Sequence, residues 1–221
     1  VEWFTYEYGR ISTVARAAKN IRLQMKKAMI QPFTPMLIQC RGKGDLLNLT
    51  HIESCGATQL TGNAVFCGLY VNELLLRLMA KHDPYTKLFN HYQLLIQQLS
   101  NNQHLDHYLR VFELQLLTEL GYQIRLDQTK SGEAIVERQY YYYVFEQGLS
   151  CIDDHIDSHH LHLANNVFFG KQLLAIVNQD WQQPEVLKDA KRLTRLALSA
   201  LLGDKPLNSR KIYQAMLQKG A

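Results

Sequence analysis

The sequence predicts an α+β fold, a small N-terminal β-barrel followed by a mainly helical domain with a β insertion. Two observations carry that reading. Up to Cys55 short runs of alternating apolar and polar residues are punctuated by glycine and proline, whereas from Gly62 the apolar residues recur at helical spacing. Near residue 140 a block of aromatic and β-branched side chains returns to strand character. At 221 residues, 47% apolar and 20% charged, the chain can bury a sizeable core as one domain or two small ones.

The chain opens in an apolar, aromatic run, Val1, Trp3, Phe4, Tyr6 and Tyr8, closed by Gly9 and followed by the alternating Ile11-Ser12-Thr13-Val14. This predicts a hairpin around Glu7 to Arg10. A sheet that begins at residue 1 leads us to expect a further, earlier strand beside it. After the charge-dense segment Arg16, Lys19, Arg22, Lys26 and Lys27, the turn Gln31-Pro32-Phe33-Thr34-Pro35 leads into strands at Met36 to Arg41 and Leu46 to Ile52. Between them, Gly42-Lys43-Gly44-Asp45 is a glycine-rich hairpin turn that exposes Lys43. Such a set of short strands suits a barrel of the oligonucleotide-binding type, the OB-fold, over residues 1–58.

Residues 59–221 then form the helical domain. Val65, Phe66, Leu69, Tyr70, Leu74, Leu75, Leu78 and Met79 predict a helix apolar on nearly every side. Further helices are expected from about Pro84 to Leu99 and from about Leu105 to Leu120, where Gly121 stops the second. The β-rich insertion lies near 122–152, with Ile135-Val136 and Tyr140 to Phe145 as strands. Two last helices run from Pro184 to Leu202, ended by Gly203, and from near Ser209, which can cap its own helix.

The longest weakly charged stretch, Leu88 to Leu105, is broken by asparagine, glutamine and histidine, and no basic-then-apolar leader opens the chain. We therefore expect a soluble, cytoplasmic protein without membrane contact. Cys40, Cys55, Cys67 and Cys151 form no CxxC pair or compact disulfide framework and are expected to be reduced thiols, mostly buried. Charge is segregated: residues 1–60 carry eight basic and four acidic side chains (+4), 61–180 eight and thirteen (−5), and 181–221 eight and three (+5). Undiluted basic ends attract polyanions, so nucleic acid is the first partner to consider.

Two groups of cations stand out. Arg16, Lys19, Arg22, Lys26 and Lys27 leave a barrel strand for a loop, where Arg41 and Lys43 can join them, and Trp3, Phe4, Tyr6, Tyr8 and Phe33 are either core residues or stacking platforms. In the helix after Pro184, Lys188, Lys191, Arg192 and Arg195 recur at i, i+3, i+4 and i+7 opposite an apolar face, with Lys205, Arg210 and Lys211 beyond it. The alternative for this stripe is an ordinary solvated face. The four tyrosines Tyr140 to Tyr143 either expose rings on one face or lie in a strand buried on both. The segment from Cys151 to His162, with His155, His159 and His160, is either a metal site or a polar loop. No GxSxG, HExxH, GxxxxGK[ST] or GxGxxG motif is present, which disfavours an enzyme.

The stretches Gln31-Pro-Phe-Thr-Pro35, Gly68-Leu-Tyr-Val-Asn-Glu-Leu74, Phe112 to Tyr122, Ala190-Lys-Arg-Leu-Thr-Arg-Leu196 and Lys205-Pro-Leu-Asn-Ser-Arg210 resemble the RecO family of bacterial DNA repair proteins, in that family's order. The resemblance implies an N-terminal OB-fold and a helical domain. It implies a recombination mediator without turnover chemistry that binds single- and double-stranded DNA, anneals complementary strands, associates with RecR and helps load RecA. It also implies capture of the acidic C-terminal tail of single-stranded DNA-binding protein, for which Arg110 is the matching cation. Asp106 and Glu113, at i−4 and i+3, would equally account for Arg110 through an ion pair within its helix.

The chain departs from the family where some relatives carry two zinc-binding CxxC pairs. Here the first position reads Leu126-Asp-Gln-Thr-Lys130, and only Cys151 remains near the second, so no structural zinc and no cofactor is expected. Ala17 stands where a glycine is usual. The competing reading is a non-enzymatic scaffold whose helical groove binds peptides and whose basic ends contact protein or RNA. A metal-dependent hydrolase built on the histidine loop is a third.

Overall fold

The computed structural model describes residues 1–14, 30–152 and 164–219. These residues form an α+β protein that divides into two compact units, Val1–Leu105 together with Pro206–Ala221, and Asp106–Lys205. Packing thus groups the last helix with the N-terminal strands.

In the first unit, β1 (Glu2–Thr5) and β2 (Gly9–Val14) form the expected antiparallel hairpin, with Thr5 opposite Gly9. β3 (Met36–Arg41) and β4 (Leu46–Ser54) form the second, with a register shift between Gln39 and Cys40. The two hairpins join through parallel pairing of β2 with β4, giving the strand order β1-β2-β4-β3, open among the described residues. Gly9 explains how this sheet meets the helices: its φ is 62°, and a Cβ there would lie 1.8 Å from the Asp83 carbonyl oxygen. Only glycine allows that approach, and His82 N–H donates to the Arg10 carbonyl beside it at 3.1 Å.

Helix α1 (Asn63–Leu78) buries Ala64, Val71, Leu74 and Leu75 and lets the Phe33 ring approach through Gly68, where a Cβ would sit 2.6 Å from that ring. Helix α2 begins at Thr86 and ends at Ser100. Pro84 therefore precedes the first turn instead of opening it, and Tyr85 takes the N-cap position.

In the second unit, α3 (Leu105–Glu119) stops at Gly121 as expected: with φ 87° there, Tyr122 N–H reaches back to the Leu117 carbonyl at 2.8 Å. β5 (Tyr140–Val144) and β6 (Gly148–Cys151) pair antiparallel, and β7 (Val167–Phe169) adds on the other side of β5. Helices α4 (Gly170–Val177) and α5 (Pro184–Leu202) complete the unit. The sequence pattern predicts neither β7 nor α4. Three residues are too few to show alternation, and α4 spans only about two turns.

Ile135-Val136 does not form a strand of the sheet; nearby pairing is an isolated bridge between Gln128 and Ala134. The Val136 carbonyl instead meets the start of α4, where a Cβ on Gly170 would come within 2.0 Å of its oxygen. The four cysteines are free thiols, but the expectation that they are mostly buried fails: Cys40, Cys67 and Cys151 are half-buried and Cys55 is exposed. No helix among the described residues is long and apolar enough to cross a membrane.

Candidate nucleic-acid interface

On the first unit, the β3–β4 turn uses left-handed backbone at Gly42 and Gly44, with φ of 136° and 86°, and so holds Lys43 at an exposed tip. Arg41, at the end of β3, is also exposed. It shares a groove of about 1850 Å³ with residues of both β1 and β3 and with Phe33, Leu75, Met79, Phe89 and Tyr92. Arg10 lines the same groove but is engaged, its Nη1 lying 3.1 Å from Glu2 and its Nε donating to the Met79 carbonyl. The cations Arg16, Lys19, Arg22, Lys26 and Lys27, expected in a loop, lie outside the described residues.

Of the N-terminal aromatics, Trp3 donates its indole N–H to Thr13 Oγ1 at 2.7 Å, and Phe4 packs edge-on against Phe89 and Tyr92 at 5.2 and 5.8 Å. Phe33 lies against Gly68. These three are packing residues. Tyr6 and Tyr8 are 48% and 64% exposed at the tip of the first hairpin, Tyr6 also meeting the Phe89 ring at 5.7 Å between centroids.

Helix α5 presents Lys188, Lys191 and Arg195 to solvent, with Lys191 in an exposed ion pair to Asp106 at 3.3 Å. Arg192 departs from that stripe. Its guanidinium sits 4.4 Å from the Phe168 ring centroid, pairs with Asp189 at 3.3 Å and donates to the Val167 carbonyl. Burial pushes the Asp189 carboxyl upward, with the charges of Arg192 and Lys188 opposing it. Lys205, Arg210 and Lys211 are exposed, the last two in the first turn of α6 (Asn208–Lys219) of the first unit. Ser209 does not cap that helix: its hydroxyl donates to Glu73 of α1 at 2.7 Å, and Glu73 also accepts the backbone N–H groups of Asn208 and Ser209 at 2.8 Å each. Sequence spacing holds no signal for a cap supplied from 135 residues away.

Arg110 is buried at 5% exposure, with Nη2 2.9 Å from Glu113 and Nη1 3.5 Å from Thr194 Oγ1, which in turn donates to Glu113. Of its two expected partners, Glu113 is the one it meets. Asp106 turns instead to Lys191. The tyrosine run is the central strand of its sheet, with Tyr141 and Tyr143 in the core and Tyr140 and Tyr142 half-buried. Burial pushes the Tyr143 hydroxyl up to about 12. Among the described residues no cluster of histidine, cysteine or carboxylate fits a metal ion, and His155, His159, His160 and His162 lie outside them.

Two family descriptions match consecutive parts of the chain, Recombination protein O N terminal over residues 1–57 and Recombination protein O C terminal over residues 59–211. The chain is similar to the DNA repair protein RecO of Pseudomonas entomophila, 38% identical over 212 residues that cover 96% of this chain and 88% of that one. With RecO of Actinobacillus succinogenes it shares 39% over 217 residues, covering 96% and 87%. With RecO of Coxiella burnetii the identity is 37% over 214 residues, covering 96% and 89%.

Proposed function

The chain belongs to the RecO family of DNA repair proteins, and from that membership we propose that it is a recombination mediator. In this reading it binds single- and double-stranded DNA, anneals complementary strands, and helps load RecA onto DNA coated with single-stranded DNA-binding protein. It works with RecR and with the acidic tail of the coating protein, carries out no turnover chemistry, and resides in the cytoplasm, on the nucleoid when DNA-bound. The observation that carries the proposal is the match of both family descriptions in series along one chain.

Physically, annealing needs two phosphate backbones screened while base edges stay free to pair. Exposed Arg41 and Lys43 on one unit and Lys188, Lys191 and Arg195 on the other supply such charge, together with Lys205, Arg210 and Lys211. We assign the loop cations Arg16, Lys19, Arg22, Lys26 and Lys27 to the same role, in an N-terminal nucleic-acid-binding domain over 1–58 followed by the helical domain over 59–221. Arg192, folded onto Phe168, serves packing first. For a tail carboxylate to reach Arg110, the guanidinium must exchange Glu113 for the peptide.

The test is fluorescence anisotropy of a labelled single strand and its duplex across a salt series. Tight binding with a steep salt slope supports the mediator, and the slope counts the phosphates neutralised. The rival is a scaffold that captures peptides in a helical groove; the 1850 Å³ groove, walled by strands as well as helices, is a surface on which to test it. That scaffold would bind no DNA, and its peptide affinity would change little with salt.

A further inference from the structure

We propose that Tyr6 and Tyr8 form a stacking platform that takes unpaired bases of single-stranded DNA and rejects those paired in a duplex. The inference rests on the DNA-binding reading above and names the part of that ligand which this hairpin tip recognises. Both rings stand in a turn of three residues between β1 and β2, 48% and 64% exposed. The turn is fixed from within. The Thr5 hydroxyl donates to the Gly9 carbonyl at 2.9 Å and accepts the Tyr8 N–H at 3.1 Å. It is fixed from beneath as well, by the contact of Gly9 with the Asp83 backbone and by the Tyr6 ring standing at 78° to Phe89, 5.7 Å between centroids.

Two aromatic rings presented on a rigid turn lose little conformational entropy when a base stacks on them. Charge decides which part of the nucleic acid meets them. Glu7, exposed between the two tyrosines, repels phosphate at the tip, while Arg41, exposed on the same groove, attracts it further along. A strand laid this way turns its bases toward the tyrosines and its backbone toward Arg41. A duplex cannot do so, because its base faces are already covered by neighbouring pairs.

The experiment compares wild type, Tyr6→Ala/Tyr8→Ala and Tyr6→Phe/Tyr8→Phe by anisotropy on a labelled oligothymidylate and on a duplex. The alanine pair should lose about 10-fold or more in affinity for the single strand and less than about twofold for the duplex, with an unchanged salt slope. The phenylalanine pair should retain binding, because the ring and not the hydroxyl stacks. Unchanged single-strand affinity in the alanine pair, an equal loss on duplex, or an equal loss in the phenylalanine pair overturns the proposal. Tyr8→Ala alone, at the more exposed ring, provides the same test if removal of the Tyr6 contact with Phe89 unfolds the double variant. Wild type that binds neither DNA overturns the DNA-binding reading itself, whereas wild-type binding beside an unaffected alanine pair overturns this inference alone.

Discussion

Arg110 and Lys191 are both helix cations facing an acidic partner, yet burial gives them opposite worth. Arg110 and Glu113 are 5% and 1% exposed and are bonded to one another and to Thr194, so removing one partner strands a buried charge. Arg110→Ala is expected to lower unfolding free energy by about 3–5 kcal/mol in a urea titration. Lys191→Ala, at an exposed pair, should cost about 0–1 kcal/mol in the same measurement. A tail-binding assay on Arg110→Ala must therefore be read beside its stability. Tyr143 supplies a pH prediction: burial raises its hydroxyl from 10.0 to about 12, so the folded state holds the proton more tightly than the unfolded chain. Its contribution is complete below pH 10 and is lost as pH rises toward 12. Tyr143→Phe should flatten that part of a stability-versus-pH curve.

Among the elements, α6 is held by a contact that neither of its neighbours in sequence provides. Glu73 of α1 accepts two backbone N–H groups and one hydroxyl at its N-terminus, and Phe66 packs against Tyr213 at 5.2 Å. Burial works to raise the Glu73 carboxyl, but the hydrogen bonds from Ser209 and Asn208, with the charge of Arg77, outweigh it and hold it below its usual value of 4.5. The stabilisation is thus present above pH 4.5 and lost as pH falls through the lowered value. Hydrogen exchange of residues 208–219 should accelerate in that acid range in wild type, while Glu73→Gln should exchange faster already at neutral pH and show a weaker acid dependence. Such charge-assisted bonds are each worth about 1.5–3 kcal/mol. The hairpins, α1, α3 and α5 were legible in the sequence because glycine turns and apolar periods mark them. Strand β7 and helix α4 were not, being too short for a period and fixed by partners: Gly170 N–H donates to the Gln139 carbonyl and Lys171 N–H to that of Glu137.

For the whole molecule, the segregation of charge into basic ends and an acidic middle sets the expected response to salt. Replacing Lys19, Lys26 and Lys27 together with glutamate should weaken DNA binding, measured by anisotropy, and each phosphate left without its cation should reduce the log–log salt slope by roughly 0.7–0.9. Undiminished affinity in a folded triple variant would remove these three lysines from the interface. The same measurement on Lys188→Glu/Lys191→Glu/Arg195→Glu reports on α5 separately, and Arg192 is left intact there because it holds Phe168.

Family membership, the α+β class and the principal elements are decided by the sequence alone, because turn chemistry and apolar period are local properties that survive without coordinates. Which cations are free is decided by tertiary structure. Helical spacing cannot tell Lys188 from Arg192, nor can strand alternation tell Tyr8 from Phe4, since each outcome depends on whether a ring or a carbonyl from a distant segment has closed over the side chain. Burial and partnering are non-local, and only the folded chain brings those partners together.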